Sequence, residues 1–195
     1  DEMRGYENTK KNLSLPLRYP VLSARDTSDV PICVVGNGAS LDMSVAFLRE
    51  NRENMLIFSA GTALRTLIKQ GIIPDFHIEI ERTDYLAPIL TEAGIEGIDL
   101  IGASVIDESV LQTTGAEIFL FYKEGTIGSY LDEPSFVLPF AAPFVGNAAC
   151  SLALTFSRRV ILCGMDVGYK KEGKIHSRDS IYENETQLPP DSVPV

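Results

Sequence analysis

The chain has 195 residues, with 17 Lys and Arg against 27 Asp and Glu and a formal net charge of −10. That balance excludes a general nucleic-acid binder, which needs a basic face for phosphates, and no apolar run approaches the roughly 20 residues of a membrane helix. It leaves room for a small anionic ligand, because backbone amides bind phosphate locally without net positive charge. With 45% hydrophobic and 23% charged residues, the length suits one large domain with its own core, or two very small ones. Cys33, Cys150 and Cys163 make neither a disulfide framework nor a zinc box. Set in apolar or small-residue runs, they read as buried thiols of a reducing compartment, and the expected location is cytoplasmic. No secretory signal is visible. The chain opens at Asp1 and closes in a Pro-rich stretch, so a domain of a longer protein is expected.

Residues 1–30 read as a polar N-terminal arm with one helical turn. From Pro31 a repeat of strand followed by helix begins. Residues 31–35 are a short β-branched run ended by Gly36, a buried strand. Helical spacing over 42–53 leads to a strand at 55–58. A helix over 62–70 follows, with Leu64, Leu67 and Ile68 on one face and Gly71 as its cap. Strands at 76–80, 99–101 and 116–122 alternate with helices at 85–93, stopped by Gly94, and at 108–113. Residues 125–143 are dense in Gly and Pro and predict a long connection of the kind that often carries function. A helix of small residues over 148–156 and a strand at 159–163 complete the repeat. Residues 31–170 therefore predict one α/β domain, a mostly parallel sheet covered on both faces as a three-layer sandwich. Residues 171–195 read as a polar tail, part of a loop or lid of a longer protein.

In such a sheet the ligand sits at the carboxyl ends of the strands, and the residues there are informative. After the first strand comes Gly36-Asn37-Gly38-Ala39-Ser40-Leu41-Asp42. Two glycines permit a tight turn and close approach of a ligand, and the following helix aims its amides at the same space. Ser40 or Asp42 would cap that helix. The pattern lacks the Gly-Lys-Ser/Thr of a Walker A loop and the third Gly of the dinucleotide fingerprint. It reads as a phosphate cradle or as a plain capped turn. After the second strand, Ser59, Gly61 and Thr62 are again small and polar. After the third, strand alternation puts Glu79 and Glu81 on one face. Paired carboxylates bind a cation or a sugar hydroxyl, or share a proton; otherwise one points to solvent and Arg82 screens the rest. His77 reads as a packed side chain. Gly146 and Asn147, ahead of the small-residue helix, would bring its end close to a base or ribose, or simply let it pack tightly. After the last strand stand Asp166 and Tyr169, and His176 follows in the tail, either solvated or acting as a general acid or base.

Taken together, these motifs resemble a known group. The Gly36 to Asp42 motif is similar to the opening of bacterial sialyltransferases that act on lipooligosaccharide, and of the motility accessory factor (Maf) domain tied to flagellin glycosylation, with Ala39 where Pro is usual. Ser59-Ala60-Gly61-Thr62 with Gly71, Pro74 and Asp75 resembles the second Maf block. Gly146 and Asn147, through Gly164-Met165-Asp166 and Tyr169 to His176, resemble the third. The resemblance implies a Rossmann-like fold and a transferase using a CMP-activated nonulosonic acid, inverting, with a protein or glycan acceptor and no required cofactor. It implies Asn37, Gly38 and Ser40 at the phosphate and ribose, with Gly36 beside them at the ligand, Gly146 and Asn147 at the cytidine, Asp166 and Tyr169 near the donor, and His176 as base. Archaeal 6-hydroxymethylpterin diphosphokinases share the first loop and the Gly-x-x-Pro-Asp segment. That alternative implies Mg²⁺ and ATP at a carboxylate pair after the third strand, where this chain has Glu79 and Glu81. A non-catalytic nucleotide-binding module is the third reading.

Overall fold

A computed structural model describes residues 2–15, 27–130, 137–166, 168 and 175–182. The apolar runs form seven strands: β1 (Ile32–Val35), β2 (Leu56–Ala60), β3 (Phe76–Glu79), β4 (Asp99–Ala103), β5 (Ile118–Lys123), β6 (Val137–Leu138) and β7 (Val160–Cys163). They make one sheet in the order β6-β5-β4-β3-β2-β1-β7, parallel at every pairing. The helices between them are α2 (Leu41–Glu50), α3 (Ala63–Lys69), α4 (Leu86–Ala93), the single turn α5 (Glu108–Leu111) and α6 (Val145–Phe156). This is the Rossmann-like α/β arrangement.

Strand alternation sorts the core. Val34, Phe58, Ile78, Ile101 and Phe121 face α6, whose Ala148, Ala149, Leu152 and Ala153 are all buried. Cys33, Val35 and Ile57 face α2 and α3, and Leu100 and Leu120 pack with α4 and α5. From β1 to β6 the chain steps across the sheet in one direction, so right-handed crossovers put α2 to α5 on one face. It then returns across the other face through α6 to reach β7. β1 thus lies between strands reached from opposite directions, and the crevice at its carboxyl end is the natural ligand position.

Several boundaries differ from expectation. The N-terminal arm carries an eleven-residue helix, α1 (Glu2–Asn12), instead of one turn. Its buried side is Gly5, Asn8, Thr9 and Asn12, a polar stripe invisible to a search for apolar periodicity. Asn8 Nδ2 donates to the carbonyls of Arg82 and Val105, and Asn12 Nδ2 to those of Ser104 and Ile106, each at 2.9 Å. These bonds fasten α1 over the carboxyl rim of β3 and β4. The expected long loop holds a 3-10 turn, Ile127–Tyr130, and the short β6. α6 starts at Val145, ahead of the expected Ala148, so Gly146 and Asn147 belong to its first turn.

Cys33 and Cys163 are free and buried on neighbouring strands, with their Sγ atoms 3.6 Å apart. The Cys33 thiol donates to Cys163 and Ser44 adds a second hydrogen bond, which hold the Cys163 pKa down to about 7 against the effect of burial. The same shared proton, with burial, pushes Cys33 well above the thiol range, and burial alone raises Cys150. Cys163 therefore contributes stability that is lost as pH falls through about 7, and Cys33 contributes stability that is lost as pH rises past the ordinary thiol value.

Two outcomes follow from these contacts. Alkylation of Cys163 by iodoacetamide, read by peptide mass spectrometry, will level off above an apparent pKa of about 7, and Cys33→Ala will return it to the ordinary thiol range; an unchanged profile in that variant would count against the shared proton. Asn12→Ala will lower unfolding free energy by about 2 kcal/mol in urea titrations, because two buried carbonyls lose their donor, whereas Lys10→Ala on the exposed side will stay within about 0.5 kcal/mol of wild type.

Candidate functional site

At the end of β1 the chain turns through Gly36, Asn37 and Gly38 into α2. The two glycines are required by close approach. A Cβ on Gly36 would lie 2.5 Å from the Gly164 carbonyl oxygen, and one on Gly38 would lie 2.4 Å from an Asp166 carboxylate oxygen. Gly36 N–H donates to the Cys163 carbonyl and Gly38 N–H to that of Gly164, at 2.9 and 2.8 Å. Asp166 accepts the Ser40 N–H and the Ser40 hydroxyl, both at 2.6 Å. A carboxylate from beyond β7 thus sits at the N-terminus of α2, where the macrodipole favours negative charge. Ser40, at the N-cap, does not cap the helix with its own side chain, contrary to expectation. The Ser40 hydroxyl turns to Asp166, and Asp42 accepts the N–H of Arg178 at 3.0 Å.

Residues 175–182, in the expected polar tail, fold back over this turn. His176 pairs with Gly38 in an antiparallel bridge, and its ring lies 5.3 Å from that of Tyr182. The Asn37 amide ties the assembly together. Its Nδ2 donates to the hydroxyls of Thr62 at 2.8 Å and Ser180 at 2.6 Å, and its Oδ1 accepts from Ser177 at 2.7 Å. Ser177 Oγ also meets Thr66 Oγ1 at 2.8 Å. Asn37, expected at phosphate and ribose, joins the turn to α3 and to residues 175–182. Asp166 and His176, both more than a hundred residues from it in sequence, meet the same residue, Gly38.

A second group lies under α3. Ser59 on β2 and His77 and Glu79 on β3 are buried on one face. His77 Nδ1 is 3.3 Å from Ser59 Oγ. Its Nε2 lies 3.4 Å from Glu79 Oε1 without a hydrogen-bond partner. Gly61 adopts φ +54°, where a side chain is strained, and a Cβ there would lie 2.9 Å from Val145 and 3.8 Å from Glu79 Oε1. Gly61, Thr62, Glu79, Leu86 and Ile181 line a narrow pocket at this point. Glu79 and Glu81 do not form the expected pair. β3 ends at Glu79, alternation ceases, and Glu81 accepts from the Arg82 N–H at 2.8 Å and the Thr83 hydroxyl at 3.1 Å. Arg82 pairs with Glu2 of α1 at 2.8 Å.

α6 closes the crevice from the other face. Met165 is the wedge: a Cβ on Gly146 would lie 2.5 Å from its Cε, and one on Gly36 2.7 Å from its sulfur. Asn147 is exposed, and its Oδ1 accepts the Phe144 N–H at 3.2 Å, capping the helix. Tyr169 lies outside the described residues. Sequence reasoning missed Thr66, Ser177 and Ser180, which carry no motif, and gave Thr62 and Met165 no role beyond membership of the second and third motif blocks. His77 was legible only through its two-residue offset from Glu79 on a strand. Among the described residues no group of three or more His, Cys, Asp and Glu is arranged to hold a metal ion, and no helix is long and apolar enough to cross a membrane.

Comparison with known proteins places this arrangement. Residues 4–172 match the family described as 6-hydroxymethylpterin diphosphokinase MptE-like, and the chain belongs to that family. The solved structure of the MAf glycosyltransferase from Magnetospirillum magneticum AMB-1 is similar with a TM-score of 0.79 and 25% sequence identity over 86% of this chain. The match spans 28% of that protein's length. No curated protein matches the chain. The resemblance read from the glycine turn and the Gly-x-x-Pro-Asp segment is thereby met at the level of family and fold.

Since Asn37 is the tie, Asn37→Ala will loosen residues 175–182. Trypsin will cleave after the exposed Arg178 about 5- to 30-fold faster than in wild type, given one to two lost hydrogen bonds of about 1 kcal/mol each. Equal cleavage rates at matched global stability would refute that role for Asn37.

Proposed function

We propose that this member of the MptE-like family is the nucleotide-sugar-binding domain of a glycosyltransferase. The donor in this reading is a CMP-activated nonulosonic acid of the sialic, pseudaminic or legionaminic type, and the acceptor is a flagellin or cell-surface glycan hydroxyl. The observation that carries it is the convergence of Asp166 and His176 on Gly38, at the carboxyl end of the strand where the sheet order reverses. The naming of the similar solved structure as a glycosyltransferase supports it. The donor and the inverting course come from the resemblance of the motifs.

In this reading His176 removes the proton of the acceptor hydroxyl as the new glycosidic bond forms and the CMP phosphate leaves with the bonding pair. The transition state is oxocarbenium-like, with charge growing on the sugar ring and on the departing phosphate. The Asp166 carboxylate, held by Ser40, stands next to the turn and favours positive charge nearby. Residues 175–182 are latched by Asn37, so the backbone of His176 is held against Gly38 by the fold instead of by loop collapse. The domain needs no cofactor for this step.

The family description favours a second reading, Mg²⁺-dependent diphosphoryl transfer from ATP. Glu79 and Glu81 are the residues at the position for the metal. Glu79 turns to His77 and Glu81 to Arg82 and Thr83, so the pair offers no shared oxygen seat for Mg²⁺. The residues as arranged here do not fit that ion.

Calorimetric titration of CMP and ATP, each with and without Mg²⁺, tests the choice. CMP will bind with an affinity that Mg²⁺ leaves unchanged, and His176→Ala will retain that binding while slowing CMP release from the sugar donor by about 100-fold or more. Mg²⁺-dependent ATP binding that disappears in Glu79→Gln would overturn the transferase reading in favour of phosphoryl transfer.

A further inference from the structure

Two large apolar side chains stand out at the same rim. The turn between β6 and α6 presents Phe140 at 80% and Phe144 at 70% exposure. The backbone around them is fastened. The Pro139 carbonyl accepts the Ser151 hydroxyl at 2.6 Å, the Phe140 N–H donates to the Glu124 carboxylate at 3.3 Å, and the Phe144 N–H donates to Asn147 at 3.2 Å. Ala141 between them is buried, and Phe140 sits at φ +55°, a conformation that bulky residues rarely adopt. Scattered exposed apolar residues are ordinary on a protein surface. The place of Phe144 is not. It occupies the N-cap of α6, where Ser, Thr, Asp or Asn is favoured, and Asn147 does the capping in its stead. The next two residues, Val145 and Gly146, abut Gly61 and Met165 at the ends of β2 and β7. An aromatic ring is thus held on a fixed backbone, without burial, beside the candidate site.

We infer that Phe144 is a stacking face for the flat heterocyclic base of the ligand bound at this rim. The inference rests on the reading of the site as a nucleotide-type site and adds the residue that recognises the base. A ring face attracts any planar heterocycle offset above it, so a cytosine and a pterin share the required chemistry, and a sugar phosphate lacks it. Because Phe144 is exposed, replacing it leaves the core untouched.

The chain contains no tryptophan, so Phe144→Trp installs a single fluorescent reporter at the proposed face. CMP will quench it saturably and ribose 5-phosphate will not. By calorimetry, Phe144→Ala and Phe144→Leu will each weaken CMP binding by about tenfold while ribose 5-phosphate binding changes less than twofold. Quenching by 6-hydroxymethylpterin but not by CMP supports the stacking face and overturns the CMP donor. Wild-type binding of CMP with an unquenched indole reporter and an unchanged Phe144→Ala affinity overturns the stacking face and leaves the nucleotide reading intact. Equal quenching by ribose 5-phosphate also overturns it, because the response would then report the turn and not the base. If none of the three ligands quenches the reporter, the stacking face is overturned as well.

Discussion

The contact between the turn after β1 and the end of β7 governs the rim of this molecule. β1 is reached first and β7 last, and α6 must cross the whole sheet to bring them side by side. Once there, Gly36 and Gly38 lie so close to Gly164 and Asp166 that no side chain fits between them. The Asp166 carboxylate then takes the Ser40 N–H and hydroxyl, Met165 fills the space between the turn and α6, and residues 175–182 are laid over the top. The glycines that look like a ligand cradle in sequence are spent, in the fold, on admitting one strand end to another. What they create is an arrangement in which the Asp166 carboxylate and the backbone of His176 meet at Gly38.

Polar contacts do more of the positioning here than the composition suggests. α1 is docked by two asparagines that donate to four carbonyls, and residues 175–182 by one asparagine and a set of hydroxyls. Each such bond is worth little net, yet each is costly to leave unmade once buried. These ties therefore specify where a segment lies more than they add to the strength of packing. The apolar core does the opposite. Its alternating strands supply stability on both faces but would hold equally well whatever covered the rim. His77 is the exception inside the sheet, a buried imidazole with one nitrogen lacking a partner beside Glu79.

The amino-acid sequence by itself determined the alternation of strands and helices and the parallel sheet covered on both faces, because β-branched runs, helical spacing and glycine stops are local signals. It also located the rim residues, since strand ends follow from strand positions. Gly36, Gly38, Asp166 and His176 were all identified there, and the tertiary structure brings them together. α1 escaped because its buried stripe is Gly, Asn, Thr and Asn, with no apolar period to find. The start of α6 was placed late because Gly146 and Asn147 look like loop residues until the Asn147 side chain is seen capping the Phe144 amide. Only the tertiary structure decided the partners of the polar side chains. Glu79 and Glu81 part company because β3 stops between them. Asn37 turns to hydroxyls more than a hundred residues away. Local sequence sets which residue stands at a strand end, but the direction of its hydrogen bonds depends on what a distant segment brings within about 3 Å of it, and that is a property of the folded chain alone.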